Sequence, residues 1–318
     1  MVNDGVNIVI PTYNRVESLR KTLLFLSKSL EGLKNINIIV IDNSSTDDTQ
    51  KILLSMESIF DKSELTFNYK INKRNIGLDG SILYAAKNIL TSERFTWFLS
   101  DDDHLLDEGV KSFIDILLTS NKVMEIANFT NPILSHMKIK PFFRASFLSS
   151  VALRGRTGSN FDSLLGANYL HIGVINSIIK NEYEIGESSE IVGIQLPNIK
   201  FRFRFFETFI VGYPRCLMFH NVVISKKEAF QEAISRSQHY AALALLDRAS
   251  DCNYVIWSPN FKNISEVYNL FGIRSYRIIL IILLMKFPRT FVKFIFNKRV
   301  GLYLKEISSK KNLIKNYG

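Results

Sequence analysis

Short apolar runs alternate with polar loops and amphipathic segments along the first 118 residues. The runs are short enough for buried strands and cover residues 6–10, 36–41, 65–71 and 95–99. Leucines at positions 19, 23, 26 and 30 have the spacing of an amphipathic helix over 18–30. Further helices are predicted over 49–60, 81–90 and 105–118. Four strand, loop and helix units in succession predict an α/β domain with right-handed crossovers and a parallel sheet.

The pattern becomes weaker after residue 118. Residues 171–179 and 216–224 form apolar runs, which predict two more strands. A helix beginning near Ser225, a second helix over 240–248 and a strand over 254–257 are predicted to follow. The stretch 134–166 mixes basic and aromatic side chains, and this composition suits either an acceptor-binding loop or a solvated connection.

Polar residues follow each of the first four predicted strands. The loops contain Tyr13, Asp42, residues 75–77 and the acidic triplet 101–103. Ligands of parallel α/β sheets bind beyond the carboxyl ends of the strands, so we expect these loops to converge on one crevice. Four unrelated loops rich in turn-forming residues are the alternative, which explains each loop singly but not the set.

The acidic triplet consists of Asp101, Asp102 and Asp103, directly after the fourth predicted strand. Carboxylates this close repel one another, and a raised pKa or a bound cation relieves the repulsion. Oxygen ligands of this kind suit Mg²⁺ or Mn²⁺, which often bridge to substrate phosphates. The alternative interpretation is an acidic cap at a helix N-terminus, which the helix dipole also favours.

The motifs IVIPTYNR, VIDNSSTDDT, NIGLDGS and FLSDDD occur in this order within residues 6–118. In order and spacing they resemble the first half of a family 2 glycosyltransferase with a GT-A fold. The resemblance implies a GT-A domain over 1–260, with a Rossmann-like nucleotide-sugar-binding half (1–118) and an acceptor-binding half (119–260). It also implies transfer of a sugar from a nucleotide-sugar donor by a single displacement with inversion.

The same resemblance assigns roles to the loop residues. Asp42 is expected to bind the nucleobase, and Asp101 and Asp103 are expected to bind the ribose and a metal, Mn²⁺ or Mg²⁺. The metal neutralises the charge of the departing nucleoside diphosphate. The expected nucleotide-sugar-binding set is Pro11, Tyr13, Asn14, Arg15, Asp42, Asn43, Asn75, Gly77, Asp101 and Asp102, and the expected metal ligands are Asp103 and Asp101. The third loop departs from the family, because it reads Leu78-Asp79-Gly80 where small residues and a basic residue are usual.

The catalytic base is harder to assign. In the family a Glu-Asp pair usually opens a late helix and supplies the base, but this chain has Ser237-Gln238-His239 at the corresponding place. Histidine accepts a proton at neutral pH without a large pKa shift, which makes His239 the candidate base. A helix-start histidine that contacts the acceptor or the backbone is the alternative. Glu207 is the next candidate, together with Glu187 and Glu190.

The net charge of +10 is concentrated at the C-terminus. Residues 272–318 contain eleven Lys and Arg and one Glu, so the rest of the chain is neutral overall. The apolar run 278–285 is too short to span a membrane, and Pro288 would kink a helix. Residues 261–318 are therefore predicted to form basic amphipathic helices that lie on an anionic membrane. Nucleic-acid binding, and packing as core or dimer interface, are the alternatives.

Together these features favour an inverting, metal-dependent glycosyltransferase that extends a lipid-linked surface glycan such as an O-antigen or capsule. We expect it at the cytoplasmic face of a bacterial inner membrane, with no nucleic acid as partner. The N-terminus predicts no secretory signal, and two cysteines give no disulfide framework. A nucleotidyltransferase would need a Gly- and Lys/Arg-rich loop that IVIPTYNR does not supply. A non-catalytic nucleotide-binding membrane adaptor is the third hypothesis, which the missing Glu-Asp pair favours.

Overall fold

The computed structural model describes residues 4–63, 65–130, 145, 147–194, 203–204, 211–220, 225–232, 255–256 and 269. The chain divides into two compact units. The first comprises Met1–Gly166 and Leu170–Leu196, and the second comprises Ala167–Tyr169 and Pro197–Gly318. The predicted helix over 240–248 and the basic tail 272–318 lie outside the described residues.

The first unit is built from a mixed sheet and the helices that connect its strands. Its strands are β1 (Val6–Thr12), β2 (Ile36–Asp42), β3 (Thr66–Ile71), β4 (Phe95–Phe98), β5 (His104–Leu105), β6 (Met124–Thr130), β7 (Val151–Leu153) and β8 (Ile185–Ile194). Its α-helices are α1 (Val16–Ser29), α2 (Thr49–Lys62), α3 (Gly77–Asn88), α4 (Asp107–Thr119) and α5 (Leu170–Ile178).

The strand order in this sheet is β3-β2-β1-β4-β7-β6-β8-β5. The pairs β2–β3, β1–β2 and β1–β4 are parallel, with Val6 opposite both Ile36 and Phe95. This confirms the parallel arrangement predicted for the first four strands. Beyond β4 the sheet becomes mixed, because β7 runs antiparallel to both β4 and β6 while β6 and β8 are parallel. The result is a mixed α/β fold.

Continuous apolar runs form the central strands because both faces of the sheet are covered. All seven residues of β1 are buried, as a parallel strand between two helical layers requires. Leu19, Leu23 and Leu26 of α1 are fully buried in the same core. On the neighbouring strand, the Trp97 ring packs edge-on against Phe113 of α4, with ring centroids 5.2 Å apart. The core therefore holds the carboxyl ends of β1, β2 and β4 in fixed positions.

Two sequence-based strand predictions are wrong. Residues 171–179 lie mainly in α5, whose residues 170–176 are all buried. A helix buried on every side has no polar face to reveal its period, so its Ile and Val content suggested a strand. The prediction over 216–224 also fails within the described residues 216–220, because 216–218 complete helix α6 (Tyr213–Met218) of the second unit, and 221–224 lie outside the described residues. Pro214 lies in the first turn of α6, where a helix tolerates proline.

The second unit is described only in short segments. β9 (Phe203–Arg204) pairs in parallel with β10 (Val255–Ile256), which lies inside the predicted strand 254–257. Residues 226–232 are helical, as predicted. The helix begins with a capping box, in which Ser225 N donates to Glu228 Oε2 (3.0 Å) and Glu228 N donates to Ser225 Oγ (3.2 Å). Within the described residues, no helix has both the length and the apolar character needed to cross a membrane.

Candidate functional site

The polar loops predicted to converge do meet at the carboxyl edge of three adjacent strands. The order β2-β1-β4 places the ends of these strands side by side, and Thr12 pairs with Asp42 in register. Asn43 N donates to Thr12 O (2.9 Å), which joins the first loop to the second. The acidic triplet follows β4 at the same edge. The first, second and fourth loops therefore form one polar surface.

The positively charged side chain of Arg15 contacts two of the three acids of the triplet. Its Nη1 atom lies 2.8 Å from Asp101 Oδ1 and 2.7 Å from Asp102 Oδ2. Both contacts are of charge-assisted hydrogen-bond length, so one guanidinium group neutralises part of two carboxylates. Arg15 immediately precedes α1, so this ion pair also fixes the start of that helix against the turn after β4.

Asp101 is the most enclosed member of the triplet, with 2% of its surface exposed. Its Oδ2 accepts a hydrogen bond from Thr12 Oγ1 (2.6 Å), and its Oδ1 is the atom bound by Arg15. Its backbone carbonyl accepts a further bond from Thr22 Oγ1 (3.1 Å). Both carboxylate oxygens are therefore already used to tie β1 and α1 to the end of β4.

The acidic triplet carries more negative charge than Arg15 compensates. Burial raises the pKa of Asp101 from 3.8 to about 6, against the lowering effects of Arg15 and Thr12. Burial likewise raises the pKa of Asp103 from 3.8 to about 7, helped by the charges of Asp102 and Asp101 and opposed by the hydrogen bond from Ser149. A carboxylate with a pKa raised in this way favours a proton or a cation. The triplet is thus suited to attract positive charge.

A divalent cation fits this donor set when a ligand completes its coordination. In the part of the chain that the structure describes, no group of three or more His, Cys, Asp or Glu side chains is arranged to hold a metal ion. Mg²⁺ commonly uses one or two carboxylates together with substrate phosphates and water, so such an ion needs few protein ligands here. Asp103 is better placed for it than Asp101, whose two oxygens already accept hydrogen bonds.

Asp42 presents a buried oxygen without a hydrogen-bond partner. The residue is 0% exposed, and its Oδ1 accepts bonds from the backbone nitrogen (3.0 Å) and the hydroxyl (2.5 Å) of Ser45. Its Oδ2 has no partner in the structure. A buried carboxylate oxygen left unpaired costs free energy in the folded protein. A donor N–H group of a ligand would satisfy it.

Asn14 joins the first two loops. Its φ of 51° lies in the left-handed region, which asparagine tolerates better than most residues. In this conformation its backbone nitrogen donates to Ser45 Oγ (2.9 Å) and its Oδ1 accepts from Thr46 N (2.7 Å). The preceding Tyr13 is 42% exposed at the same edge and free to contact a ligand, whereas Pro11 is buried within β1.

The third loop is organised by asparagine side chains. Asn75 Oδ1 accepts a bond from Gly77 N (2.8 Å), and Gly77 begins α3 with a φ of 70° that glycine adopts without strain. Asn43 Nδ2 donates to Ser81 Oγ (2.9 Å), while Asn43 Oδ1 accepts from Asn72 Nδ2 (3.0 Å). Asn43 therefore holds the second and third loops together, and Asn75 shapes the turn into α3.

The departure from the family at Asp79 has a structural explanation. Asp79 is 5% exposed, and its Oδ1 accepts a hydrogen bond from the backbone nitrogen of Leu170 (3.1 Å). Leu170 is the first residue of α5, so the carboxylate lies at the positive end of that helix. The acid in the third loop thus holds α5 against α3.

The candidate bases are not brought together by the described structure. His239 and Glu207 lie outside the described residues, so their role stays a prediction. Glu187 and Glu190 are exposed on β8. Sequence reasoning missed one residue of the site, Ser149, whose hydroxyl donates a hydrogen bond to Asp103 Oδ2. No motif surrounds Ser149, and only the pairing of β7 with β4 reveals it.

A comparison with known protein families finds a match for the segment that contains this site. Residues 7–142 match the model of the family described as "Glycosyl transferase family 2". This segment is therefore similar to family 2 glycosyltransferases. The resemblance inferred from the four motifs is therefore confirmed, and the polar edge described above lies within the matched domain.

Two curated relatives are similar to part of this chain. The chain is 29% identical over 114 residues to the GalNAc(5)-diNAcBac-PP-undecaprenol beta-1,3-glucosyltransferase of Campylobacter jejuni, covering 34% of this chain and 33% of that protein. It is 29% identical over 119 residues to the minor teichoic acid biosynthesis protein GgaA of Bacillus subtilis, covering 37% and 26%. The chain thus matches about a third or less of these relatives' length.

Solved structures of low sequence identity share the fold. S. aureus TarS 1-349 in complex with UDP superposes with a TM-score of 0.55 at 12% identity, covering 97% of this chain and 91% of that chain. The mannosyltransferase PcManGT from Pyrobaculum calidifontis, in complex with GDP-Man and Mn²⁺, gives a TM-score of 0.50 at 10% identity, covering 97% and 87%. The family 2 domain therefore belongs to a GT-A-like fold.

Proposed function

We propose that the protein transfers a sugar from a nucleoside diphosphate sugar to a glycan acceptor, with the help of a divalent cation. One observation carries the proposal: Asp42, with its unpaired buried oxygen, and the charged acidic triplet share one edge of a family 2 domain. A carboxylate that can accept a hydrogen bond from the nucleobase, and acids that can hold a cation near the phosphates, suit a nucleotide-sugar donor.

Each residue has a distinct role in this proposal. Asp42 Oδ2 accepts a hydrogen bond from the nucleobase, and the exposed ring of Tyr13 contacts the nucleoside. Asp103, next to Asp102, binds Mn²⁺ or Mg²⁺ on the donor diphosphate. The cation supplies positive charge that stabilises the departing nucleoside diphosphate. Asp101 and Arg15 keep the triplet in place through their mutual ion pair.

The reaction is proposed to be a single displacement with inversion. The acceptor oxygen forms a bond to the anomeric carbon as the bond from that carbon to the diphosphate oxygen breaks. A general base takes the proton of the acceptor hydroxyl, and His239 or Glu207 is the proposed base.

A lipid-linked acceptor on the cytoplasmic face of a bacterial inner membrane completes the proposal. The name of the C. jejuni relative contains an undecaprenol-linked diphosphate, which describes a lipid-carried acceptor of that protein. Residues 272–318 of this chain carry a net charge of +10, which suits an anionic membrane surface. Surface polysaccharide synthesis, of the O-antigen or capsule type, would use such an acceptor.

A ligand screen tests the proposal without knowledge of the acceptor. Thermal unfolding of the full chain is measured with uridine, guanosine, thymidine and cytidine diphosphates, with and without Mn²⁺, alongside hydrolysis of the matching nucleotide sugars. Stabilisation by one nucleotide that increases with Mn²⁺, and slow donor hydrolysis, is the expected result. Asp103→Ala removes the Mn²⁺ effect, while the exposed Asp107→Ala retains it. Binding without turnover of any donor favours the nucleotide-binding adaptor, and no binding rejects the function.

A further inference from the structure

The structure places one serine from outside the family motifs beside the acidic triplet. β7 pairs antiparallel with β4, with Thr96 opposite Leu153 and Trp97 opposite Ala152. Continuing this register three residues further places Ser149 opposite Ser100, the residue directly before the triplet. Ser149 lies in a short 3-10 turn (Leu148–Ser150) that leads into β7, beyond residue 142 where the family match ends.

The hydroxyl of Ser149 accepts one hydrogen bond and donates another. It accepts a bond from the backbone nitrogen of Ser100 (2.8 Å) and donates its own proton to Asp103 Oδ2. Because the Ser100 N–H occupies the acceptor side, the hydroxyl proton is directed at the carboxylate. This orientation is fixed by the backbone pairing rather than by a side-chain rotamer alone.

Ser149 is enclosed by buried residues. Ser149 is 0% exposed, and its backbone carbonyl accepts a bond from Trp97 Nε1 (2.7 Å). Trp97 is itself fully buried against Phe113. A donor held from both sides in this way loses little conformational freedom when it binds the carboxylate.

Asp101 and Asp102 share Arg15 as a donor, whereas Asp103 has a hydrogen-bond donor of its own. Asp101 is held by Thr12 and Arg15, and Asp102 is held by Arg15 and by Ser100 Oγ (2.6 Å). Asp103 receives its bond from Ser149. Ser149 lies after the segment that carries the family motifs, and its hydroxyl donates to Oδ2 of Asp103.

We propose that Ser149 is a positioning residue that orients the Asp103 carboxylate for the divalent cation. The proposal rests on the metal-dependent function proposed above. Side chains that hold a metal ligand in place change metal affinity without touching the metal, typically by about 10- to 100-fold. Removing the Ser149 hydroxyl is therefore expected to weaken cation binding while leaving the nucleotide contacts at Asp42 intact.

The test compares Ser149→Ala with the matched neighbour Ser150→Ala. Ser150 is also buried, but its hydroxyl donates to the carbonyl of Phe147 (2.7 Å). Mn²⁺ is titrated into the full chain in the presence of saturating UDP or GDP, and free Mn²⁺ is followed by electron paramagnetic resonance. Binding of the same nucleotides without metal is measured by calorimetry. Ser149→Cys, a near-isosteric weaker donor, guards against a folding defect in the alanine variant, and circular dichroism checks the fold of each.

Ser149→Ala is expected to weaken Mn²⁺ binding by about 10- to 100-fold, with Ser149→Cys intermediate and Ser150→Ala close to the parent chain. Nucleotide affinity without metal is expected to change less than about twofold, since only the metal ligand is disturbed. Unchanged Mn²⁺ binding in both Ser149 variants, or an equal loss in Ser150→Ala, rejects the positioning role of Ser149. Either outcome leaves the metal-dependent function standing. A parent chain that binds UDP or GDP but no Mn²⁺ rejects the metal-dependent function as well.

Discussion

Replacing Asp103 by asparagine is expected to stabilise the ligand-free protein while removing its activity. The substitution keeps the shape of the side chain and an oxygen that can accept the Ser149 hydrogen bond, but it removes the charge. In the native protein burial raises the pKa of Asp103 from 3.8 to about 7, with the neighbouring carboxylates adding to the rise. Ionised Asp103 therefore costs folding free energy, which the asparagine does not.

The size and the sign of this effect follow from the pKa. A folded-state pKa above the unfolded one means that the unfolded chain ionises first, so stability falls as pH rises from about 4 to about 7 and is then constant. A rise from 3.8 to about 7 corresponds to about 4 kcal/mol above pH 7. Asp103 is partly exposed and coupled to two other acids, so we expect about half of this, near 2 kcal/mol. Less than half of the effect is present at pH 5.

Urea denaturation of both proteins at pH 5 and pH 8 measures the effect. Asp103→Asn should unfold at higher urea concentration than the parent at pH 8, with a smaller difference at pH 5. Asp107→Asn is the control, because Asp107 is exposed and its hydrogen bond from Lys111 lowers its pKa, so it is ionised at both pH values. A less stable Asp103→Asn at pH 8, or equal differences at both pH values, would refute the reasoning.

Three further predictions concern other parts of the chain. Asp42→Asn is expected to weaken nucleoside diphosphate binding by about 10- to 100-fold in calorimetry, because a hydrogen bond to a charged group contributes about 1.5–3 kcal/mol; unchanged affinity would exclude contact with Oδ2. Asp79→Ala leaves the buried Leu170 N–H without its acceptor and should lower the free energy of unfolding by about 1–3 kcal/mol in urea, with nucleotide affinity unchanged. Deleting residues 272–318 should abolish cosedimentation with anionic vesicles, and vesicles of neutral lipid should bind neither form; retained binding of the truncated chain would remove the tail from the proposal.

The first half of the fold was predictable because its signals are local. The runs beginning at Val6 and Phe95 are buried on both faces, and the run beginning at Ile36 is buried or partly buried throughout, so composition alone indicates a strand. The connecting helices require parallel pairing, and parallel pairing brings the loops to one edge. Asp42 and the acidic triplet could therefore be placed together from the sequence.

The second half was not predictable in the same way. β7 contains only three residues, and its place between β4 and β6 depends on pairing with strands far away in the chain. α5 is buried over residues 170–176, so its sequence shows no helical period. The contacts of Asn43 and Ser149 also join distant segments, and local patterns contain no information about them. The sequence indicated which polar residues meet at the edge of the sheet, but not which of them hold the others in place.

The register between β4 and β7 determines which insertions and deletions in the chain would disturb the acidic triplet. Ser149 reaches the acidic triplet because it lies three residues before Ala152, whose partner is fixed as Trp97. Insertions or deletions between Thr130 and Phe147 leave that pairing as it is, since the strands rather than the connection set the alignment. A single residue inserted between Ser149 and Ala152 would move the hydroxyl away from Ser100. A change in the connection between β6 and β7 is therefore expected to leave the hydrogen bond from Ser149 to Asp103 in place.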